Sequence, residues 1–505
     1  MKDKLLFWIA GTFFNFCIAK CISEKYDCDI HTIIDTDNEK KTFFEKQQLI
    51  NFKTVWYYRD HVDLDPNRNP DLNYLTNFEK RTGINLWNIA YSEQNFFNFN
   101  IYYQYPQNEI LSIIEQECRL FEKILDQVNP DFLVIGITDS HHNYLLSDIC
   151  KSRKIRVLML GGARFGFREM ISAEADVLDG NVLPPYSEKS QKEISFEELQ
   201  EYYHKFNFIK QINKLKTKYT ISNASKIKKF FKLIFIYGDK KYRNHFGRRG
   251  MTRWNILKKI PILIFKQWRV RRYVNKNFTK TIDQKLPFIY FPLHSEPERA
   301  LSIAAPFFTN QIEAVTHVAK SIPIGYLIYV KDHPIMDIKG GRTLEFYKKI
   351  MSLPNVRLIH TSISQDNLIK QCSIVVTIAG SGGMEAAIFG KSSIVLSKTL
   401  YSSLPSVYEL KNINELPSTI RKSLQTKVNP NDVRTFIDFI DKNSFQVDKQ
   451  MATSDLRARF HHKEISENEM LKFLKDYEPE FDILSSEYIK KINEIKVKEK
   501  SSEQK

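Results

Sequence analysis

The chain has no paired cysteine motif and few long hydrophobic runs. Its six cysteines, at positions 17, 21, 28, 118, 150 and 372, never have the Cys-x-x-Cys spacing of metal-binding or redox motifs. This scatter argues against a zinc ribbon or a disulfide-stapled secreted domain, and it favours reduced thiols in a cytosolic compartment. Beyond residue 22 no uninterrupted apolar stretch reaches about 20 residues, so we predict no transmembrane helix.

The stretch 5–22 is almost continuously apolar and follows two lysines, as in a signal peptide or a membrane anchor. Asn15 and Lys20 interrupt it, and no small-residue cleavage site is evident. Residues 29–35 then follow at the spacing of a second parallel strand. We therefore predict a buried strand and helix that open a βαβ unit, with a signal peptide or anchor as the alternative.

Acidic residues are almost absent from one segment. Residues 205–280 hold 23 Lys or Arg residues and a single acid, Asp239, whereas the remainder of the chain is mildly acidic. Stretches such as 228–235 and 254–268 interleave bases with large apolar residues, as in helices that lie on anionic membrane surfaces. We predict that residues 205–280 contact such a surface, with a helical excursion packed on the fold as the alternative. Nucleic acid is not predicted as a partner, because no recognised nucleic-acid module is present.

Strands and helices alternate in both halves of the chain, which indicates doubly wound parallel sheets. After residue 404 the pattern becomes helical, and we expect a disordered charged tail from Lys496 onward. The sequence predicts an N-terminal domain, a basic aromatic helical insertion, a C-terminal domain and a helical end segment with a charged tail. Their predicted bounds are 1–186, 187–284, 285–425 and 426–505.

Two polar turns of the second half each follow a predicted strand. Strand 324–330 leads into Lys331-Asp332-His333-Pro334, and strand 374–378 leads into Gly380, Ser381, Gly382 and Gly383. Ligands of open α/β sheets bind outside the carboxyl ends of the strands, so we expect the two turns to share one site. Glycines let the backbone approach an oxyanion closely, and an amide-rich helix start favours negative charge. The layout predicts a ligand with phosphates.

The C-terminal half resembles the capsule polysaccharide biosynthesis (Kdo transferase-like) group of enzymes. The resemblance rests on Phe291-Pro292-Leu293-His294, Lys331-Asp332-His333-Pro334, residues 377–386 and Gly390-Lys391. It implies an α/β fold of GT-B type, with two Rossmann-like domains facing a cleft and the basic helical insertion between them. It also implies an inverting, metal-independent glycosyltransferase that moves a sugar from a nucleotide-sugar donor to a surface polysaccharide or lipid-linked glycan acceptor. No cofactor is expected.

The resemblance also implies roles for individual residues. His333 would bind the donor phosphate or protonate it as it leaves, and Glu385 would contact the ribose or the base. The other predicted donor-binding residues are His294, Lys331, Gly380, Ser381, Gly382 and Gly383. The segment 294–298 departs from related enzymes, which often carry Gln and Asp there, so the sugar of the donor stays open.

An inverting transferase needs a general base, and Asp139 is the candidate because it follows the predicted strand 132–137. The alternative is that Asp139 or Ser140 caps the next helix. We predict no metal site at His141 and His142, because adjacent histidines on a helix point in different directions. Residues 161–164, Gly-Gly-Ala-Arg, are either a second phosphate or acceptor loop or a tight turn.

Two other functions are compatible with these motifs. A sugar-nucleotide 2-epimerase has a similar fold and a comparable Ser-Gly-Gly, but this chain lacks a second Glu after Glu385 and the Arg-rich strand that follows in those enzymes. A catalytically inactive GT-B scaffold of a membrane-bound glycan assembly complex is the non-enzymatic alternative. Acceptor-dependent turnover would separate a transferase from both.

Overall fold

The computed structural model describes residues 2–503 except 98, 164–165, 167, 176, 179–193, 206–245, 284, 340 and 461–464. Contacts divide the chain into two compact units. The first unit holds the described parts of residues 1–180, 239–250 and 441–505, and the second unit holds those of the remaining residues. This division puts the end of the chain with the first unit, whereas the sequence predicted it as a separate segment.

The first unit is built on a seven-stranded sheet in the order β13-β6-β5-β4-β1-β2-β3. Strands β1 to β5 are parallel to their neighbours, while β6 runs antiparallel to β5 and β13 antiparallel to β6. The strands are β1 (Asp3–Ala10), β2 (Cys28–Asp35), β3 (Thr54–Tyr57), β4 (Phe132–Gly136), β5 (Arg156–Gly162), β6 (Arg168–Ser172) and β13 (Phe445–Gln446).

Helices cover both faces of this sheet and bury two separate hydrophobic clusters. In chain order they are α1 (Phe14–Lys25), α2 (Asn38–Lys46), α3 (Tyr58–His61), α4 (Leu72–Thr82), α5 (Leu86–Ser92), α6 (Gln94–Phe97), α7 (Gln107–Val128) and α8 (His141–Ser152). From the end of the chain come α19 (Lys449–Phe460), α20 (Glu467–Asp476) and α21 (Glu478–Glu503).

The apolar start of the chain is buried, as the sequence predicted. Strand β1 pairs with β2 along its whole length, and α1 packs against α21. Phe16 and Cys17 of α1 are fully buried. The predicted βαβ opening is therefore confirmed, since the apolar residues of 5–22 belong to the core of the sheet.

The second unit is built on a six-stranded, wholly parallel sheet in the order β12-β11-β10-β7-β8-β9. Its strands are β7 (Phe288–Pro292), β8 (Leu327–Lys331), β9 (Val356–Ile359), β10 (Ile374–Thr377), β11 (Ser393–Val395) and β12 (Val407–Glu409). Its helices are α9 (Phe196–Lys205), α10 (Arg253–Asn277), α11 (Arg299–Ser302), α12 (Gln311–Ser321), α13 (Pro334–Lys339), α14 (Leu344–Met351), α15 (Gln365–Gln371), α16 (Gly382–Ile388) and α17 (Leu416–Gln425), and α18 (Pro430–Lys442) leads out of it.

Two such sheets confirm the predicted α/β class with two Rossmann-like domains of GT-B type. The predicted cleft between the two domains stays a prediction. Four elements of the second unit agree with the alternation of strands and helices that the sequence predicts, because apolar runs mark the strands and an N-cap Thr or Ser precedes each helix. They are β7, β9, α14 and α15.

Three expectations were wrong. Residues 496–503 continue α21, where the ammonium of Lys496 lies 2.9 Å from both carboxylate oxygens of Asp3. Gly161 and Gly162 do not form a loop, since they lie in β5 and pair with β6; Arg164 is outside the described residues. The region after residue 404 is not wholly helical, because Val407–Glu409 adds a strand beside β11.

Helix α10 presents much of its apolar surface to solvent. Trp254, Ile264, Phe265 and Trp268 are 74%, 60%, 58% and 54% exposed, and the helix has only two buried residues. It carries eight Lys or Arg residues and no acid. No helix in the described part of the chain is long and apolar enough to cross a bilayer. The similar stretch 228–235 lies outside the described residues.

Candidate active site

Three neighbouring strands of the second sheet end in the residues that the sequence singled out. Strand β7 lies between β8 and β10, and it leads into His294, while β8 leads into His333 and β10 into the Gly380 turn. Adjacent strands are about 4.8 Å apart, so the ends of β8 and β10 are separated by roughly 10 Å. The fold therefore brings the two predicted turns to one edge, on either side of His294.

The turn after β8 is fixed by the buried carboxylate of Asp332. One carboxylate oxygen accepts the backbone N–H of His333 at 2.8 Å, and the other accepts the hydroxyl of Tyr347 at 2.5 Å. The half-buried ring of His333 accepts the backbone N–H of Ile335 on Nδ1 at 3.2 Å. In the neutral imidazole the proton is therefore on Nε2, and that nitrogen is the donor.

Arg342 is a buried cation that the sequence gave no reason to single out. Its guanidinium lies 3.1 Å from Asp332 and 2.5 Å from Glu296, and it also donates to the carbonyl oxygen of His294. Burial lowers the pKa of Arg342, but the charges of Asp332 and Glu296 outweigh burial, so the net shift is upward. Arg342 thereby ties the loop after β7 to the turn after β8.

The side chain of His294 contacts the turn that contains Gly380. Its Nε2 accepts the backbone N–H of Ala379 at 3.2 Å, and its Nδ1 lies 3.4 Å from Glu298. The ring is only 6% exposed. In the structure the contact of His294 is thus with the turn, and the predicted contact with a donor stays a prediction.

The glycines of the turn after β10 are required by close neighbours. A Cβ on Gly383 would lie 2.8 Å from the ring of Tyr401, and a Cβ on Gly380 would lie 3.1 Å from the ring of His294. The hydroxyl of Tyr401 donates to the carbonyl of Gly380. Because these neighbours hold the turn in place, the backbone amides at the start of α16 are preorganised. Ser381, which begins that helix, is exposed.

Glu385 is a buried carboxylate inside a ring of hydroxyl and amide groups. It accepts the hydroxyl of Ser381 at 2.8 Å and the side-chain amide of Gln365 at 2.5 Å. Tyr203 of α9 also hydrogen-bonds to it. Burial raises the pKa of Glu385, and these hydrogen bonds only partly oppose the shift. The Glu385 carboxylate can accept the hydroxyls of a ligand in place of the hydroxyls of Ser381 and Tyr203.

Lys331 lies inside the site and not at its surface. It is 5% exposed, and its ammonium donates to the carbonyl of Ile363 at 2.6 Å. Burial lowers the pKa of Lys331, while the charges of Asp366 and Glu385 oppose that shift. Its positive charge balances the Glu385 carboxylate, and its predicted contact with a donor stays a prediction.

Asp139 belongs to the first unit, where it is exposed after the end of β4. Ser140 is the N-cap residue of α8 but makes no side-chain capping bond, because its hydroxyl lies 3.0 Å from Nε2 of His142. Asp139 thus stands at the carboxyl edge of its own sheet, as predicted, and its role as a base stays a prediction.

Sequence reasoning missed Arg342, Tyr203 and Tyr401. Tyr203 comes from a helix that precedes the second sheet by more than 80 residues, so no local spacing connects it to Glu385. Tyr401 had one available signal, since a glycine pair beside a buried strand often marks close packing of a large side chain.

The arrangement is suited to binding a phosphorylated nucleoside. The protonated Nε2 of His333 and the backbone amides of the glycine turn can neutralise phosphate oxygens. Glu385 can accept hydrogen bonds from vicinal hydroxyls. These donors and acceptors lie along one edge over a span of roughly 10 Å, which matches a diphosphate with an attached ribose.

Comparison with known proteins agrees with this reading. Residues 202–405 match the model of the capsule polysaccharide biosynthesis protein family, so the match includes every predicted donor-binding residue. A search of the curated proteins finds no significant match.

Solved structures give loose matches over long stretches. The UDP-GlcNAc 2-epimerase of Methanocaldococcus jannaschii is 15% identical, with 87% of this chain and 99% of that chain covered and a TM-score of 0.24. The beta Kdo 2,4 transferase of KpsC from Thermosulfurimonas dismutans is 10% identical, with 61% of this chain and 79% of that chain covered and a TM-score of 0.30. The beta Kdo 2,7 transferase of KpsC from the same organism is 13% identical, with 74% of this chain and 97% of that chain covered and a TM-score of 0.29. Similarities at this level carry no inference about activity.

The strand ends and turns described above therefore lie within residues 202–405, the part of this chain that is similar to the capsule polysaccharide biosynthesis protein family.

Proposed function

We propose that the protein is a glycosyltransferase that moves a sugar from a nucleotide-sugar donor to a surface polysaccharide or a lipid-linked glycan. The observation that carries the proposal is the convergence of His333, the Gly380 turn and Glu385 at one sheet edge, within the region that matches the family. A fold of this kind hosts many activities, so the argument rests on the chemistry of these groups.

Departure of the nucleotide is the step that this edge can assist. As the glycosidic bond to the donor breaks, negative charge develops on the leaving phosphate, and preorganised donors stabilise it. His333 is held by Ile335 so that Nε2 carries the proton, which suits it to donate to that phosphate. Glu385 would accept the ribose hydroxyls in place of Ser381 and Gln365.

Asp139 is proposed as the general base that deprotonates the acceptor hydroxyl. It follows β4 at the carboxyl edge of the first sheet, and it is exposed. An inverting transfer requires the attacking oxygen and the leaving phosphate on opposite faces of the sugar, so the base is expected to be a different group from those that bind the phosphate. Asp139→Asn should abolish transfer and leave donor binding intact.

Thermal unfolding with a panel of nucleoside diphosphate and CMP sugars tests the donor site. A ligand at about 100 times its Kd should stabilise the folded protein by roughly 2.7 kcal/mol. We expect one nucleotide class to stabilise the protein and His333→Ala to weaken that effect. His317→Ala is the control, since His317 is a half-buried histidine within α12 of the same unit. No response of the folded protein to any nucleotide would favour the inactive-scaffold alternative.

Product analysis separates the two enzymatic alternatives. A transferase releases free nucleotide only when the acceptor is present or is replaced by water. A 2-epimerase instead returns an intact sugar nucleotide with the configuration at C2 inverted. The second result would contradict the proposed function while preserving the donor site.

We further propose that the protein binds the inner face of the cell membrane peripherally through α10, within the cytoplasm. Exposed Trp254, Phe265 and Trp268 alternate with eight bases on this helix, and no acid opposes them. Such a surface suits the headgroup region of an anionic bilayer, where aromatic rings insert and bases pair with lipid phosphates. A lipid-linked acceptor would be found there.

Vesicle co-sedimentation tests this surface. The protein should bind vesicles that contain phosphatidylglycerol and should not bind pure phosphatidylcholine vesicles. Replacing Trp254, Phe265 and Trp268 by Ser should abolish binding, whereas the control Phe307→Ser should not, although Phe307 is 93% exposed. Equal binding by both variants would contradict the proposed surface.

A further inference from the structure

A second polar cluster lies in the interior of the first unit, and two of its residues directly follow Asp139 and Ser140 in the sequence. It consists of Glu117 of α7 with His141 and His142 of α8, and all three are buried, with exposures of 0%, 0% and 4%. One nitrogen or oxygen atom of each lies within 4.8 Å of those of the other two. The expectation that the adjacent histidines diverge therefore does not describe this pair.

Two atoms of the cluster are buried without a hydrogen bond. Among the described residues, Oε2 of Glu117 and Nδ1 of His142 have no partner. The other atoms are used: Oε1 of Glu117 accepts the hydroxyl of Tyr58, and Nε2 of His142 lies 3.0 Å from the hydroxyl of Ser140. A buried polar atom without a hydrogen bond destabilises the fold, so two such atoms in one cluster indicate a missing partner.

The charges point to a cation. Nδ1 of His141 lies 3.0 Å from Glu93 and its Nε2 lies 2.9 Å from Glu117, so one imidazole stands between two buried carboxylates. A proton shared between His141 and these carboxylates leaves Oε2 of Glu117 and Nδ1 of His142 without a partner.

We propose that Glu117, His141 and His142 bind a divalent transition-metal ion, for which Zn²⁺ is the best match. Two histidines and one glutamate are a known ligand set for zinc. Tetrahedral ligand atoms about 2.1 Å from zinc are about 3.4 Å apart, so these three atoms, which lie within 4.8 Å of one another, would approach each other by up to about 1.4 Å when the ion binds. Glu93 would accept the Nδ1–H of His141, and such a carboxylate orients a metal-bound histidine through its other nitrogen. The ion would give Oε2 of Glu117 and Nδ1 of His142 a partner.

Metal content and metal titration test the site. The full chain, purified without metal-affinity steps, would be assayed for bound metals, dialysed against a chelator and titrated with Zn²⁺ and Co²⁺. We expect thermal stability to rise until one Zn²⁺ is bound per chain, and Co²⁺ to give visible ligand-field absorption. Glu117→Gln and His142→Asn should each weaken the affinity by at least about tenfold.

His31→Asn is the matched control, because His31 is a buried histidine of the same unit that pairs with Thr54. Its metal affinity should equal that of the unchanged protein. Glu117→Gln is nearly isosteric and keeps an oxygen for Tyr58, so it remains informative if His142→Asn fails to fold. The proposal is overturned if the unchanged protein binds neither ion at one per chain, or if Glu117→Gln binds as tightly as the control.

Discussion

The carboxyl edges of the two sheets share a topology but differ in how their polar groups are satisfied. At the second edge Asp332, Arg342 and Glu385 have partners, so the turns are held in one geometry. In the first unit, the helix that follows β4 contributes to a cluster in which Glu117 and His142 each have an unpaired buried atom. Paired groups prepare backbone amides for a ligand, whereas unpaired groups indicate that a ligand itself completes the structure.

The largest effect on stability is expected at Asp332. Asp332→Ala removes the more deeply buried of the two carboxylates that contact the guanidinium of Arg342, and it should lower the free energy of unfolding by about 3 kcal/mol. Urea denaturation measures this change. Asp126→Ala is the control in the first unit, because Asp126 is 68% exposed and its partner Arg153 is 29% exposed; it should cost less than about 1 kcal/mol. An equal loss of unfolding free energy in both variants would show that the buried ion pairs at the carboxyl edge of the second sheet contribute no more than an exposed pair.

A smaller loss is expected at Gly383. The added methyl of Gly383→Ala would lie 2.8 Å from the ring of Tyr401, which should cost about 1–3 kcal/mol and displace the turn. Stabilisation by the nucleotide should be lost as well. Gly136→Ala tests the same change at the end of β4, where a Cβ meets no atom within 4 Å. That control should change the free energy of unfolding by less than about 0.5 kcal/mol, and a similar loss in both variants would contradict the packing argument.

The smallest change in the free energy of unfolding is expected for Glu385→Gln. It is a gain in stability, whereas Asp332→Ala and Gly383→Ala should lose stability. Because burial raises the folded-state pKa of Glu385, wild-type stability falls as the pH rises above the usual carboxyl pKa of 4.5 and through the raised value. Glutamine does not titrate, so the variant should be more stable at neutral pH by on the order of 1 kcal/mol, with no advantage in acid.

Unfolding measured across this pH range checks the prediction, with the exposed Glu313→Gln as the control. Nucleotide binding by Glu385→Gln should weaken even as the protein becomes more stable. A variant that is less stable than the wild type at neutral pH would show that the hydrogen bonds of Glu385 outweigh its burial.

The sequence predicted the second sheet and its turns well, because their signals are local. Strand β9 is a mostly apolar run, helix α15 is preceded by its N-cap Ser364, and His333 lies two residues beyond the end of β8. Contacts between distant segments were not predictable in this way. Strand β13 pairs with β6 across more than 270 residues, and Tyr203 reaches Glu385 from another helix.

In the first unit, too, contacts between distant segments could not be predicted from local sequence signals. Glu93, Glu117 and His141 are separated by more than 20 residues each, and they meet only because α7 and α8 pack together. Helical periodicity marks Glu117 as one more polar residue on an amphipathic helix, although it is fully buried. Burial of a charge depends on tertiary packing, which no spacing rule encodes.

The measurement that tests the central claim most directly is acceptor-dependent release of nucleotide from the donor that stabilises the protein. We predict that the unchanged protein and His317→Ala release nucleotide at similar rates and form a glycosylated acceptor, while His333→Ala is slower by about 100-fold or more. His333→Ala that transfers sugar as fast as the unchanged protein would contradict the assignment of this sheet edge as the site of transfer.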